Sequence, residues 1–132
     1  MGAQMGYADR DYFRDHSTRP SGRLAGAPVV KWLLILNLGV FVMEVFFDLR
    51  TAFEAAGSFT FDQGIRGLQI WRVITFQFLH ANFGHLLFNS IGIYFFGTFL
   101  EQQLRSRAFL LFYLSCGVAG ALAASLLALV LG

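Results

Sequence analysis

The stretch WRVITFQFLHANFGHLLFNSIGIYFFGTFLE, residues 71–101, combines two histidines and two asparagines with a long apolar run. Asn89 follows His85 by four residues. On an α-helix this offset is about 40° of rotation and about one turn of rise, so the two side chains are predicted to share one face. His80 lies five residues before His85, about 140° away on a helix. It does not share that face if the helix already includes it.

The composition indicates an integral membrane protein. The chain has 132 residues, of which 56% are hydrophobic and 14% charged, and its mean hydropathy is +0.58. A soluble domain carries about 25% charged residues. The net charge of +2 is too small to indicate nucleic-acid binding, and the single cysteine excludes an internal disulfide. Polar groups at membrane depth usually face a bundle interior or a wet cavity, which makes His85 and Asn89 candidate functional residues.

The apolar segments predict an all-α membrane protein with three transmembrane helices, at about residues 29–47, 83–100 and 108–131. Each is close to the 20 or so residues that a span requires. Asn37 and Glu44 interrupt the first span. Because they are seven residues apart they share a face, and we expect them to form hydrogen bonds with other helices.

Small residues mark the expected packing surfaces of the second and third spans. They are Gly84, Gly92 and Gly97, followed by Gly117, Ala121, Ala124, Ser125, Ala128 and Gly132. Such residues let helix backbones approach closely. The polar residues from 101 to 107 are expected to form a short turn between the two spans. Cys116 is predicted to be a small buried apolar group rather than a nucleophile.

The outer loop between the first two spans is predicted to be residues 48–82. It mixes charged with aromatic side chains, and glycines divide it into short pieces. This mixture predicts short helices half sunk in the membrane interface, where backbone groups must be satisfied by protein or water. A guanidinium can bind several carbonyl groups at once, and Arg72 is our candidate for that role.

Residues 1–28 are polar and rich in glycine, and they are predicted to form a poorly ordered tail. Lys and Arg concentrate on the cytoplasmic side of membrane proteins. Five lie in the tail through Lys31 and two in the polar turn, which makes seven, against three in the outer loop. The N-terminus is therefore predicted to be cytoplasmic. His85 and Asn89 then open just below the outer surface.

With these residues in place, the chain resembles the rhomboid family of intramembrane serine proteases. The matching residues are Trp71 and Arg72, His80, His85 with Asn89, and Gly97 followed by Glu101. The spacing WRx7Hx4Hx3N at the mouth of a span is more specific than any one of its letters. The long outer loop and the predicted orientation agree with the family. The resemblance covers about residues 29–132.

The resemblance implies that the chain corresponds to the first half of a six-helix bundle. It implies that His85 and Asn89 help form an oxyanion hole, and that four residues are structural supports: Trp71, Arg72, His80 and Glu101. In the family, a serine in a GxSG motif on the fourth span is the nucleophile and a histidine on the sixth is its base. This sequence contains no GxSG and no histidine after His85.

We therefore expect this chain to be the N-terminal portion of a rhomboid-type endopeptidase, either as a fragment or as the product of an incomplete gene. We expect it to be inactive alone. The expected partners are the lipid bilayer, transmembrane protein substrates and the missing C-terminal spans, and not nucleic acid. The expected location is the inner (plasma) membrane of a bacterium.

Two other classes of function remain open. One is a catalytically inactive rhomboid-like protein that binds transmembrane clients. The other is a small helical membrane subunit that works only by assembly, which predicts no water-accessible cavity at His85. A metal site is not expected, because His80 and His85 are five residues apart with no third ligand nearby. No cofactor is expected either.

Overall fold

The computed structural model describes residues 22–131 (for residue 129, the backbone only), and its regular elements are all helices. Three helical segments are long and apolar enough to cross a membrane: Pro28–Phe46, Phe83–Leu104 and Ser106–Ala128. The prediction of an all-α membrane protein with three spans is confirmed. Of the predicted tail, residues 1–21 lie outside the described residues. Arg23–Gly26 form a 3₁₀ turn directly before the first span.

Six α-helices follow one another in the described residues. They are α1 (Pro28–Phe46), α2 (Arg50–Gly57), α3 (Arg72–Thr75), α4 (Phe83–Gly92), α5 (Thr98–Leu104) and α6 (Ser106–Leu131). A π-helical turn, Ile93–Gly97, joins α4 to α5, so these three pieces form the second span. The outer loop contains α2 and α3, a π-helical turn at Asp62–Arg66 and a 3₁₀ turn at Phe76–Phe78. The predicted short helices of this loop are therefore present.

Local signals explain where the first two spans begin. Pro28 is the first residue of α1, a position where its missing N–H costs nothing. Asn82 is the N-cap of α4, and its Oδ1 accepts a hydrogen bond from the backbone N–H of His85 at 2.9 Å. Such a cap satisfies one of the first-turn donors of a helix. The chain from Leu79 to Asn82 therefore precedes the helix.

The second span is longer than predicted, and the polar turn is shorter. Glu101, Gln102 and Gln103 belong to α5, which continues to Leu104. Only Arg105 breaks the helix, with a φ of 67° in the left-handed region. The predicted boundary was wrong because the Glu101 side chain is buried, at 2% exposure. It contacts α1 instead of water.

The core lies where α1 meets the second and third spans. Its buried members are Ala27, Val30, Leu33, Ile93 and Phe109. A Cβ atom on Gly97 would lie 3.0 Å from Cγ2 of Val30 and 3.3 Å from Cζ of Phe109. The predicted close approach is therefore confirmed at Gly97.

On α6 the expected packing surface is only partly covered. A Cβ atom on Gly117 would overlap the side chain of Gln77, and Ala121 is buried. Ala124 and Ala128 are exposed within the described structure. Cys116 is also exposed, so its predicted burial was wrong.

Asn37 and Glu44 face the interior, as predicted, with exposures of 0% and 3%. The expected contacts are present only in part, because Tyr113 lies beside Asn37 and the backbone N–H of His80 faces Glu44. Among the described residues, three side-chain atoms have no hydrogen-bond partner of good geometry: Nδ2 and Oδ1 of Asn37 and Oε2 of Glu44. Buried polar atoms without a partner are costly.

Candidate functional site

A cleft of about 390 Å³ separates the end of the outer loop and α4 from α6. His80, His85 and Asn89 line one side of it, and Tyr113 and Cys116 line the other. The volume falls within the range of about 300–1,000 Å³ that is common for ligand pockets. The structure thus brings His80, His85 and Asn89 together.

His85 and Asn89 both line this cleft from α4, as their four-residue spacing predicted. His85 is in the first turn of α4, and its side chain is exposed. No hydrogen bond to its ring forms within the described residues. Asn89 lies one turn deeper and is half-buried. A cavity at His85 disagrees with the assembly-subunit alternative, which predicted none.

His80 holds the amide group of Asn89. Its Nδ1 lies 3.1 Å from the carbonyl oxygen of Phe78, which can only accept a hydrogen bond, so Nδ1 carries a proton. In the neutral ring Nε2 is then an acceptor. Nδ2 of Asn89 lies 3.1 Å from this Nε2 and donates to it. One of the two amide hydrogens is used in this way, and the other is left for a ligand.

The surroundings of His80 favour this neutral form. Its side chain is 2% exposed, and burial lowers the pKa of His80 because the charged ring loses water. The neighbouring ring of His85, 5.3 Å away between centroids, lowers it further. The carbonyl of Phe78 acts in the opposite direction. The net shift is downward, so His80 is neutral near pH 7.

The cleft therefore presents two donors, the free amide hydrogen of Asn89 and a ring N–H of His85. Neutral donors at the edge of an apolar cavity can stabilise a carbonyl oxygen that becomes negatively charged. Neither donor needs a charge of its own. This arrangement can stabilise an oxyanion, but these side chains include no nucleophile paired with a base.

Arg72 joins α2 to α3 in the outer loop. Its guanidinium donates to the carbonyl oxygens of Ser58 at 2.8 Å and Ala55 at 2.6 Å, and its Nε donates to Oε1 of Gln69 at 2.5 Å. The last carbonyls of a helix have no partner within the helix, and Arg72 supplies one at the end of α2. The expected binding of several loop carbonyls by Arg72 is therefore seen. Its importance for stability stays a prediction.

Glu101 lies about 18 Å along the second span from Asn89, at 1.5 Å per residue. Its carboxylate accepts hydrogen bonds from the backbone N–H groups of Val29 and Val30, at 3.0 and 2.9 Å, and from the hydroxyl of Ser106 at 2.6 Å. It thus caps the N-terminus of α1 from another helix. The start of α1 and the Ser106 end of α6 meet at this carboxylate, away from the cleft.

Trp71, the fourth residue assigned a supporting role, is 53% exposed. It lines a groove between α1 and α2 of about 430 Å³, together with Leu36, Val40 and Phe53. Its backbone carbonyl accepts a long hydrogen bond of 3.4 Å from the Thr75 hydroxyl. The supporting role of its indole ring stays a prediction.

Two contacts were not foreseen from the sequence. One is the hydrogen bond from Asn89 to His80, and the other is the capping of α1 by Glu101. The first had a readable signal, because Asn82 is a typical N-cap residue and places His80 outside the helix. The second joins residues more than 70 positions apart, and no local pattern announces it.

Comparison with known proteins identifies similar sequences. Residues 67–131 match the family model described as a rhomboid domain. The chain is 38% identical over 96 residues to the putative rhomboid protease YdcA of Bacillus subtilis, a match covering 70% of this chain and 47% of that protein. It is 28% identical over 107 residues to the chloroplastic Rhomboid-like protein 11 of Arabidopsis thaliana, covering 76% of this chain and 32% of that one.

A shorter match, 40% identical over 53 residues, links the chain to the rhomboid protease GluP of Bacillus subtilis. It covers 40% of this chain and 10% of that protein. The chain thus spans about half the length of YdcA and less of the other two relatives. No solved structure matches the chain significantly.

Proposed function

We infer that this chain, which belongs to the rhomboid family, supplies the oxyanion-stabilising part of an intramembrane serine endopeptidase. The inference is carried by one observation, the convergence of His85 and Asn89 on a cleft in which His80 fixes the Asn89 amide. The proposed substrates are transmembrane segments of other proteins, in keeping with the family resemblance.

The proposed chemistry needs these residue types. Peptide hydrolysis through an acyl-enzyme builds negative charge on the carbonyl oxygen of the scissile bond. A donor already aimed at that oxygen stabilises the transition state by about 3–4 kcal/mol. Asn89 is held by a neighbouring ring, so little reorganisation is required when the charge develops. His85 adds a second N–H at the mouth of the span.

The nucleophile and its base would have to come from another segment. These 132 residues contain no GxSG motif and no histidine after His85. We therefore expect the chain alone to leave transmembrane substrates uncut. Cleavage by the purified chain that a serine-directed inhibitor abolishes would contradict this assignment.

We place the protein in a bacterial inner membrane with its N-terminus in the cytoplasm. Seven basic residues on one side against three on the other support this orientation. The contact of Glu101 with the start of α1 supports a common side for the tail and the turn. A reporter fused at Gly57 should read as outside and one at Gln103 as inside. The reverse result would overturn the orientation.

The donor roles are tested in a protein that joins this chain to the remaining helices of a rhomboid protease. His85→Ala and Asn89→Ala should each lower turnover by about 10²–10³-fold. The double variant should lose less than the product, because both donors act on one oxygen. Substrate binding should change little, because the donors act mainly in the transition state.

Two results would favour another role for these residues. If the variants unfold the protein while the folded fraction keeps its turnover, His85 and Asn89 act as polar contacts between helices. If the joined protein binds transmembrane segments without cutting them, the chain belongs to a client-binding rhomboid-like protein. Thermal unfolding and a peptide-binding assay, measured beside turnover, separate these outcomes.

A further inference from the structure

A second cavity, of about 370 Å³, lies beside the cleft. The two share four lining residues, among them His80 and His85. The remaining wall of the second cavity carries two carboxyl groups, Glu44 near the end of α1 and Glu54 on α2. The donor pair of the cleft therefore stands next to an acidic cavity.

Glu44 is the group that points to a ligand. It lines the cavity, its side chain is 3% exposed, and its Oε2 has no hydrogen-bond partner among the described residues. The backbone N–H of His80 faces the same carboxyl group. A buried carboxylate oxygen without a partner is costly. A donor from a bound molecule would remove that cost.

The charge of the cavity favours a ligand with one positive charge. Nη1 of Arg50 donates to the carbonyl oxygen of Ala81 at 2.9 Å and lies 3.9 Å from Oε1 of Glu54. One guanidinium beside two carboxyl groups leaves one of them without a basic partner, and a cation in the cavity would stabilise the ionised form of that group. A divalent metal ion is disfavoured on the same count. The described residues also hold no cluster of His, Cys, Asp and Glu suited to a metal.

The size and the walls of the cavity favour an organic cation. Phe59 and Phe76 line it, with ring centroids 6.1 Å apart. Aromatic faces attract guanidinium and ammonium groups. The aliphatic stem of a long basic side chain suits apolar walls such as Leu79.

We propose that this cavity binds an Arg or Lys side chain of the polypeptide whose backbone lies against His85 and Asn89. The proposal rests on the proposed function, because it takes the cleft as the polypeptide site. In an extended chain successive side chains point to opposite faces. A polypeptide in the cleft can therefore direct one of them past His85 toward Glu44.

The first test asks whether the cavity binds the cation alone. Ethylguanidinium, the head group of an arginine side chain, is titrated into the 132-residue chain in detergent micelles, and the backbone amide of His80 is followed by ¹⁵N NMR. A saturable shift is expected in the wild type and should be lost in Glu44→Gln. Asp62→Asn, an exposed carboxylate outside the cavity, is the matched control and should keep the shift.

Several results would overturn the site. They are no shift in the wild type, an equal shift in Glu44→Gln, or a shift with magnesium chloride but not with ethylguanidinium. The dispersion of the amide spectrum shows whether Glu44→Gln is folded. If it is not, Glu54→Gln replaces it, because the side chain of Glu54 is exposed. Undiminished binding by Glu54→Gln would then count against the proposal.

The second test uses two single-span peptides that differ only in an Arg or a Gln near the outer end. The wild type should bind the Arg peptide about tenfold more tightly, the value of one charge-assisted hydrogen bond. Glu44→Gln should bind both equally. Equal affinities in the wild type, or no binding of either peptide, would overturn the proposal.

The peptide titrations also test the proposed function, independently of the basic subsite. Either peptide, if bound in the cleft, should shift the side-chain amide signals of Asn89. Binding with a preference for Arg but without that shift would contradict the polypeptide site at His85 and Asn89. A shift of Asn89 without a preference for Arg would leave the proposed function standing and remove only the basic subsite.

Discussion

Glu101→Gln should lower the free energy of unfolding more than a Glu→Gln change at an exposed position does. The carboxylate accepts three hydrogen bonds, from Val29, Val30 and Ser106. The first N–H groups of a helix have no acceptor within the helix, and the helix dipole places partial positive charge there. Glu101 satisfies two of these groups on α1 from inside the protein, at 2% exposure.

The magnitude follows from what glutamine cannot do. Its amide keeps one oxygen and replaces the other by an NH₂ group, which cannot accept from a backbone N–H. One buried N–H of α1 therefore loses its partner, at a cost of about 1–3 kcal/mol. The negative charge at the helix N-terminus is lost as well, which adds about 1 kcal/mol. Glu101→Gln should lower the free energy of unfolding by about 3 kcal/mol.

The measurement is SDS-driven unfolding in mixed micelles, followed by far-ultraviolet circular dichroism. Glu54→Gln is the control, because the exposed Arg50–Glu54 pair should contribute less than about 1 kcal/mol. Ser106→Ala removes a single bond and should cost about 1.5 kcal/mol. Since Ser106 and Glu101 share that bond, the double variant should cost less than the sum. A loss in Glu101→Gln no larger than that of the control would refute the capping argument.

Three further predictions concern the outer loop and the cleft. Arg72→Lys keeps the charge but not the planar fork, so it should lose two of three bonds and about 3 kcal/mol of stability in the same assay; unchanged stability would make Arg72 merely interfacial. Burial lowers the pKa of His80 in the folded state, whereas an unfolded histidine titrates near about 6.5. The unfolded state then binds more protons just below that pH, so the free energy of unfolding should fall as the pH drops from about 7.5 to 5.5. His80→Gln should reduce this dependence of the free energy of unfolding on pH. An equal dependence in both proteins would contradict the lowered pKa of His80. Gly117→Ala should displace the Gln77 side chain and shift the NMR signals of the loop, whereas Gly120→Ala, which meets nothing within 4 Å, should not; equal effects would show that the contact with Gln77 is not close.

The features that the sequence predicted are those set by local patterns. Apolar length and helical period are carried by neighbouring residues, and they located the three spans and the shared face of His85 and Asn89. The position of His80 beside Asn89 depends on a bend of the chain at Ala81 and Asn82, before α4 begins. Only the identity of Asn82 as a cap hinted at it.

The missed features depend on tertiary contacts. Glu101 lies within the helix and not in a solvated turn, because its carboxylate accepts hydrogen bonds from the start of α1. Counting charged residues along the sequence cannot identify a partner more than 70 residues away. Asn37 and Glu44 were placed on the correct face, yet both amide atoms of Asn37 and Oε2 of Glu44 have no hydrogen bond of good geometry among the described residues. Cys116 has apolar neighbours in the sequence but is exposed. Its burial was predicted wrongly because neighbouring residues do not specify which side of α6 is covered by other helices.

One continuous segment, residues 72–80, connects the outer loop to the cleft. Arg72 fixes its beginning on the carbonyls of Ser58 and Ala55. Gln77, in its middle, packs on Gly117 and donates to the carbonyl of Val73 at 2.9 Å. His80, at its end, accepts from Asn89. Because these contacts act in series on a short chain, the direction of the Asn89 amide depends on the loop as well as on α4. If Asn89 is the donor that we propose, the outer loop helps to orient it through His80.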